Sequence, residues 1–143
     1  MAACLPGEGK AYLLAMQRLI DLLSRVARLA FWPAFVFALV MAVLPKPPSL
    51  PIDNLGDKFA HMLAFFTLSL LAGVGWPRAS LLRATVWLSV VGAGIEVVQL
   101  IPFLHRDSDW RDWVADSAAI LVAMIPVAGF RWLTELGSDS AKA

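Results

Sequence analysis

The stretch Gly94–Asp116 reads GIEVVQLIPFLHRDSDWRDWVAD, and its interpretation sets the architecture of the chain. An apolar run carries Glu96 and, one helical turn on, Gln99. It opens into a short loop with Arg106 and three aspartates, and the next apolar run takes in Asp116. An ionisable group at membrane depth costs about 2.5–3.5 kcal/mol on insertion scales, so it needs a partner and marks a candidate functional site. If the two runs are membrane helices, the remaining polar residues should supply those partners.

Composition supports the membrane reading. Of 143 residues 59% are hydrophobic and 16% charged, against about 45–50% and about 25% in soluble domains. The apolar residues fall in blocks, and the mean hydropathy is +0.71. One cysteine, Cys4, excludes an internal disulfide framework and a cysteine-based metal site. Basic residues are too dispersed for a nucleic-acid footprint. No cleavable signal peptide is expected, because a long polar and basic stretch precedes the first apolar block.

Four spans follow outward from the opening stretch. The third covers about 84–104, with Pro102 breaking it near its end, and the fourth covers about 113–132. Small residues along the fourth, Ala115, Ser117, Ala118, Ala119, Ala123 and Ala128, permit close helix contact. The second, about 59–76, ends at Pro77, and its short link PRASLLR makes spans two and three antiparallel neighbours. The first covers about 29–44 with Pro33 in its opening turns, where lost backbone bonds matter least. A proline-rich linker, Pro45–Pro51, leads on to Asp57. Residues 11–28 alternate leucines with Gln17, Arg18, Asp21, Arg25 and Arg28 at near-helical spacing. That predicts an amphipathic helix on the membrane surface, or alternatively an extension of the first span. The expected organisation is all-α: an N-terminal segment 1–28, a four-helix membrane domain 29–133 and a polar, disordered tail 134–143.

Orientation follows from the basic residues. Lys10, Arg18, Arg25, Arg28, Arg78, Arg83, Arg131 and Lys142 fall on one side; Lys46, Lys58, Arg106 and Arg111 fall on the other, among five aspartates. The richer side is predicted to be cytoplasmic, with both termini. Trp32, Trp76, Trp87 and Trp132 then mark the inner boundary, and Trp110 and Trp113 the outer.

On that topology the polar residues converge at the outer end. Asp57, Lys58 and His61 share a face of span two, Glu96 and Gln99 a face of span three, and Asp112 and Asp116 a face of span four. Arg106 lies in the loop above. Each has a plainer reading: Asp57 and Asp112 as helix caps, Lys58 as a snorkelling interface residue, His61 as a packing residue, Arg106 with Asp112 as a clasp. Glu96 and Gln99 are the hardest to explain without a site.

The arrangement resembles the VanZ-like family of small bacterial membrane proteins. The resemblance rests on D-K-x-x-H at Asp57, Lys58 and His61, on E-x-x-Q at Glu96 and Gln99, and on Arg106 with Asp112 and Asp116. It covers about residues 35–130. The family usually has Asn where this chain has Asp116, and Gly where it has Ala119; the first departure adds a negative charge to the pocket. The namesake is linked to resistance to the glycopeptide teicoplanin, and no reaction is established for the family. The resemblance therefore implies a cell-envelope setting in the bacterial cytoplasmic membrane.

The expected function is action on an envelope component, a lipid-linked or cell-wall group. Glu96 and His61 are the acid/base candidates. Arg106 and Lys58 would hold an anionic headgroup, with Asp57, Gln99, Asp112 and Asp116 completing the binding set. The competing reading is a non-catalytic binding or assembly protein whose cluster locks the bundle. A transporter is disfavoured because the inner half lacks polar residues. His61, Glu96, Asp112 and Asp116 include metal-ligand types but only one histidine, so neither metal nor cofactor is expected.

Overall fold

A computed structural model describes residues 8–45, 48, 57–104 and 108–140, apart from the side chains of 8–10, 13, 57 and 135–140. The described chain is all-helical. It comprises α1 (Glu8–Val43), α2 (Asp57–Gly75), α3 (Leu81–Gln99), a 3-10 turn Pro102–Leu104, and α4 (Trp110–Ser140). All four helices are long and apolar enough to cross a membrane. At about 1.5 Å per residue, the 19 residues each of α2 and α3 match a hydrocarbon core of about 30 Å.

Local chemistry sets the boundaries. Pro77 follows Trp76, whose N–H makes the last helical bond, to the Ala72 carbonyl at 3.1 Å. Ser80 caps α3, its side chain accepting from the Arg83 N–H at 3.4 Å. α3 stops at Gln99, five residues short of the expected 104. Pro102 has no N–H for the Val98 carbonyl. Ile101 N–H takes that carbonyl instead, at 3.1 Å, which tightens the chain into the 3-10 turn. Asp109 starts α4, its Oδ1 accepting from the Arg111 N–H at 3.0 Å.

Three expectations need correcting. Residues 11–28 form no separate amphipathic helix: α1 runs unbroken from Glu8 through residue 28 to Val43, as the alternative reading had it. Pro33 therefore sits in a helix interior rather than in opening turns. The polar tail does not begin as disordered chain at 134, because α4 continues to Ser140.

The helices run up-down-up-down. Calling the end where α2 and α4 begin the upper end, α1 finishes there beside the finish of α3, where Gln99 Nε2 donates to Ala42 O at 3.0 Å. At the lower end Gly75, closing α2, lies against Ala27 and Arg28 of α1. α2 packs chiefly on α4 and α1, while its contact with α3, the sequence neighbour, is slight. Gly73 explains the first preference: a Cβ there would stand 2.5 Å from Val127 Cγ1. Ala119 and Ala123, two of the small residues noted on α4, are buried. The core joins Phe31, Phe65, Leu68, Leu88, Ile95, Ile120 and Met124. Trp76 and Trp87 close on Phe31 and Phe35 with ring centroids 5.3 Å apart in each pair.

Candidate functional site

Two parallel helices build the centre of the site. α2 and α4 both start at the upper end, so residues one turn apart on each meet in register. Lys58 Nζ lies 2.6 Å from Asp112 Oδ1, and His61 Nδ1 lies 4.0 Å from Asp116 Oδ2. The same register places Gly73 against Val127 lower down. The two rungs differ in setting. The Lys58 side chain is about half exposed, so its pair is worth at most about 1 kcal/mol where water reaches it. Asp116 is 3% exposed, and its Oδ1 has no hydrogen-bond partner among the described residues. A buried acceptor left unpaired costs about 1–3 kcal/mol, which a water, a proton or a ligand would relieve.

Glu96 and Gln99, whose depth first marked the region, are both buried and both engaged with the scaffold. Glu96 Oε2 accepts from Ser108 Oγ and from the Asp109 N–H, each at 3.0 Å. Ser108 Oγ also lies 3.0 Å from the Glu96 carbonyl. One carboxylate oxygen thus pins the α3–α4 loop and satisfies an N–H that α4 cannot satisfy itself. Gln99 does the equivalent for α1, donating to a carbonyl in its last turn. The partners required by burial are largely backbone.

His61 also faces a second feature. It is the polar residue lining a small, otherwise apolar crevice of about 20 Å³ that is open on one side. Phe35 and Leu39 of α1, Ala64 and Leu68 of α2, and Ile95 of α3 contribute to its walls. His61 therefore borders both a buried carboxylate and an apolar slot.

The structure gathers Lys58, His61, Glu96, Asp112 and Asp116 at one end, with Gln99 fixed just beside α1. Asp57 opens α2 but its side chain lies outside the described residues, and so does Arg106. Among the described residues no group of three or more His, Cys, Asp or Glu could hold a metal ion.

Several polar ties were not anticipated from sequence. Ser89 Oγ meets Ser117 Oγ at 2.9 Å, and Trp113 Nε1 donates to Ser89 O at 3.0 Å, joining α3 to α4. At the lower end the Arg131 guanidinium donates to the carbonyls of Ala79, Gly73 and Trp76 at 2.6–2.9 Å, closing the end of α2. Asp109 carried a readable signal as an aspartate directly before an apolar run. Arg131 carried none, because its partners are backbone atoms more than fifty positions away. No family model, curated protein or solved structure matches the chain.

Proposed function

We propose that the chain is a VanZ-like protein of the bacterial cytoplasmic membrane that binds an envelope amphiphile and exchanges a proton with it through His61. The apolar part of the ligand lies along the open side of the crevice, and its head reaches Lys58 and donates a hydrogen bond to Asp116. The observation that carries this reading is Asp116, buried with one oxygen that has no hydrogen-bond partner among the described residues and facing a histidine that also borders an apolar slot. The meeting of D-K-x-x-H, E-x-x-Q and the Asp112/Asp116 pair at one end supports the family assignment. Altered glycopeptide susceptibility is the phenotype that the assignment suggests. The eight-to-four distribution of basic residues supports cytoplasmic termini and an outward-facing site.

Within this reading Glu96 is a positioning residue, since its Oε2 already accepts two bonds, and His61 is left as the proton carrier. The Lys58 charge is offset by Asp112 at 2.6 Å. An anionic head such as a phosphate therefore needs Arg106 as well. The competing reading, a purely structural cluster, draws its support from Glu96 and Gln99, whose bonds go to the loop and the backbone.

Dodecyl phosphate tests the proposal, titrated against the full chain in lipid nanodiscs and followed by thermal shift. It should raise the melting temperature, with at least tenfold weaker binding in His61→Asn and in Arg106→Gln, and with binding no weaker in Asp116→Asn, which removes a negative charge beside the phosphate. Equal shifts from dodecyl phosphate and dodecyltrimethylammonium, unaffected by the substitutions, would reject head recognition and favour the structural reading.

A further inference from the structure

The lower end of the bundle, away from the candidate site, carries positive charge that no described carboxylate balances. α2 ends there at Gly75 and α3 begins at Leu81, while α1 passes with Ala27 and Arg28 against Gly75. Because α2 and α3 each run 19 residues, about 28 Å at 1.5 Å per residue, this level is a membrane boundary. Arg28, Arg78, Arg83 and Arg131 all belong to it. Arg131 gives its guanidinium to three carbonyls. Arg28, Arg78 and Arg83 are exposed, and among the described residues none of them has a carboxylate within ion-pair distance.

Two of these arginines converge. Phe31 of α1 and Trp87 of α3 are in contact, with ring centroids 6.3 Å apart. Arg28 precedes Phe31 by three residues and Arg83 precedes Trp87 by four, so each lies one turn lower on the face that carries the ring. The two residues therefore flank the lower mouth of the seam between α1 and α3, with Arg78 in the adjoining α2–α3 link. Arg28 is also held in place. Its Nε donates to the Ser24 carbonyl at 3.2 Å, and its stem packs on Gly75, where a Cβ would stand 3.1 Å from Arg28 Cγ. The two terminal nitrogens have no partner among the described residues, which leaves a forked edge for a phosphate. One turn further into the bundle Trp32 is 55% exposed and Trp87 45%, amphipathic rings at the depth where headgroups give way to chains.

We propose that Arg28 and Arg83, assisted by Arg78, hold the phosphate of one anionic phospholipid whose acyl chains lie over Trp32 and Trp87. Arginines that merely snorkel stay mobile and meet bulk headgroups. A stem fixed between a glycine and a backbone carbonyl has less freedom left to lose, which favours one anion at one place. Charge selects the lipid class: a zwitterionic head would bring its own cation against the arginines, whereas an anionic head complements them. A soluble phosphate would meet the same fork but gain none of the apolar contact.

The test is native mass spectrometry of the full chain in dodecyl maltoside, titrated with dioleoylphosphatidylglycerol or with dioleoylphosphatidylcholine. One phosphatidylglycerol should be retained per chain, at least fivefold more tightly than phosphatidylcholine. Arg28→Gln and Arg83→Gln should each weaken its retention at least fivefold. Arg18→Gln and Arg111→Gln, which remove the same charge elsewhere, should change it less than twofold. The Arg83 side chain makes no hydrogen bond or ion pair among the described residues, so its variant decides the matter even if Arg28 proves necessary for folding. Equal retention of both lipids, equal weakening in the Arg18 and Arg111 variants, or unchanged retention in Arg83→Gln would each overturn the proposal in favour of diffuse interfacial charge. Displacement of the lipid by millimolar glycerol phosphate would overturn it in favour of a soluble anion.

Discussion

At the scale of single residues, the two buried polar groups that define the region serve different ends from the pair beside them. Glu96 and Gln99 are consumed by loop and helix ends, whereas Asp116 Oδ1 has no hydrogen bond among the described residues. This difference is measurable. Glu96→Ala removes the acceptor for Ser108 and Asp109 and should lower stability by about 2–3 kcal/mol, since two donors lose their partner. Glu96→Gln keeps an acceptor oxygen there and should cost less than about 1 kcal/mol. Unfolding in mixed micelles checks both values, and equal losses would mean that Glu96 does not act through those two bonds. The sequence located the cluster because ionisable residues in an apolar run need partners. It could not say which partners, because a carbonyl in the last turn of α1 and an N–H at the start of α4 leave no mark on residue identity.

Among the helices, alternating apolar blocks and prolines made four spans legible, and Pro77 and Pro102 end helices for the reasons sequence suggests. Packing order was less accessible. The short 76–80 link pointed to α2 beside α3, yet α2 lies chiefly on α4 and α1. Gly73 accounts for this, its missing Cβ leaving room for Val127. Gly73→Ala would force that methyl to within 2.5 Å of Val127 Cγ1, and overpacking of this kind costs about 1–3 kcal/mol. Val127→Ala should recover most of the loss in the double variant, as a thermodynamic cycle in micelles would show. Independent, additive losses would place the two residues apart. The continuity of α1 and of α4 was legible only in part: neither Arg28 nor Thr134 breaks a helix, so charge composition there marked a change of surroundings rather than a change of structure.

For the molecule as a whole, polar ties secure both ends, with Ser89, Ser117 and Trp113 joining α3 to α4 between them. At the lower end Arg131 closes α2 with three carbonyl contacts. At the upper end, Gln99 and Glu96 fasten α1 and the α3–α4 loop around a histidine, a buried aspartate and an apolar crevice. A scaffold secured on both sides of such a gap suits binding better than it suits simple span packing, for which an apolar residue at 116 would avoid the cost of desolvating a carboxylate. The central claim is that a ligand head reaches Asp116 while its chain lies along the crevice beside His61. The most direct measurement is a high-resolution map of the full chain purified from its own membrane into lipid nanodiscs. The account predicts continuous non-protein density from hydrogen-bond distance of Asp116 Oδ1, past His61, along the slot between Phe35 and Ile95. A crevice filled by protein side chains, with Asp116 Oδ1 hydrogen-bonded to the protein itself, would contradict it.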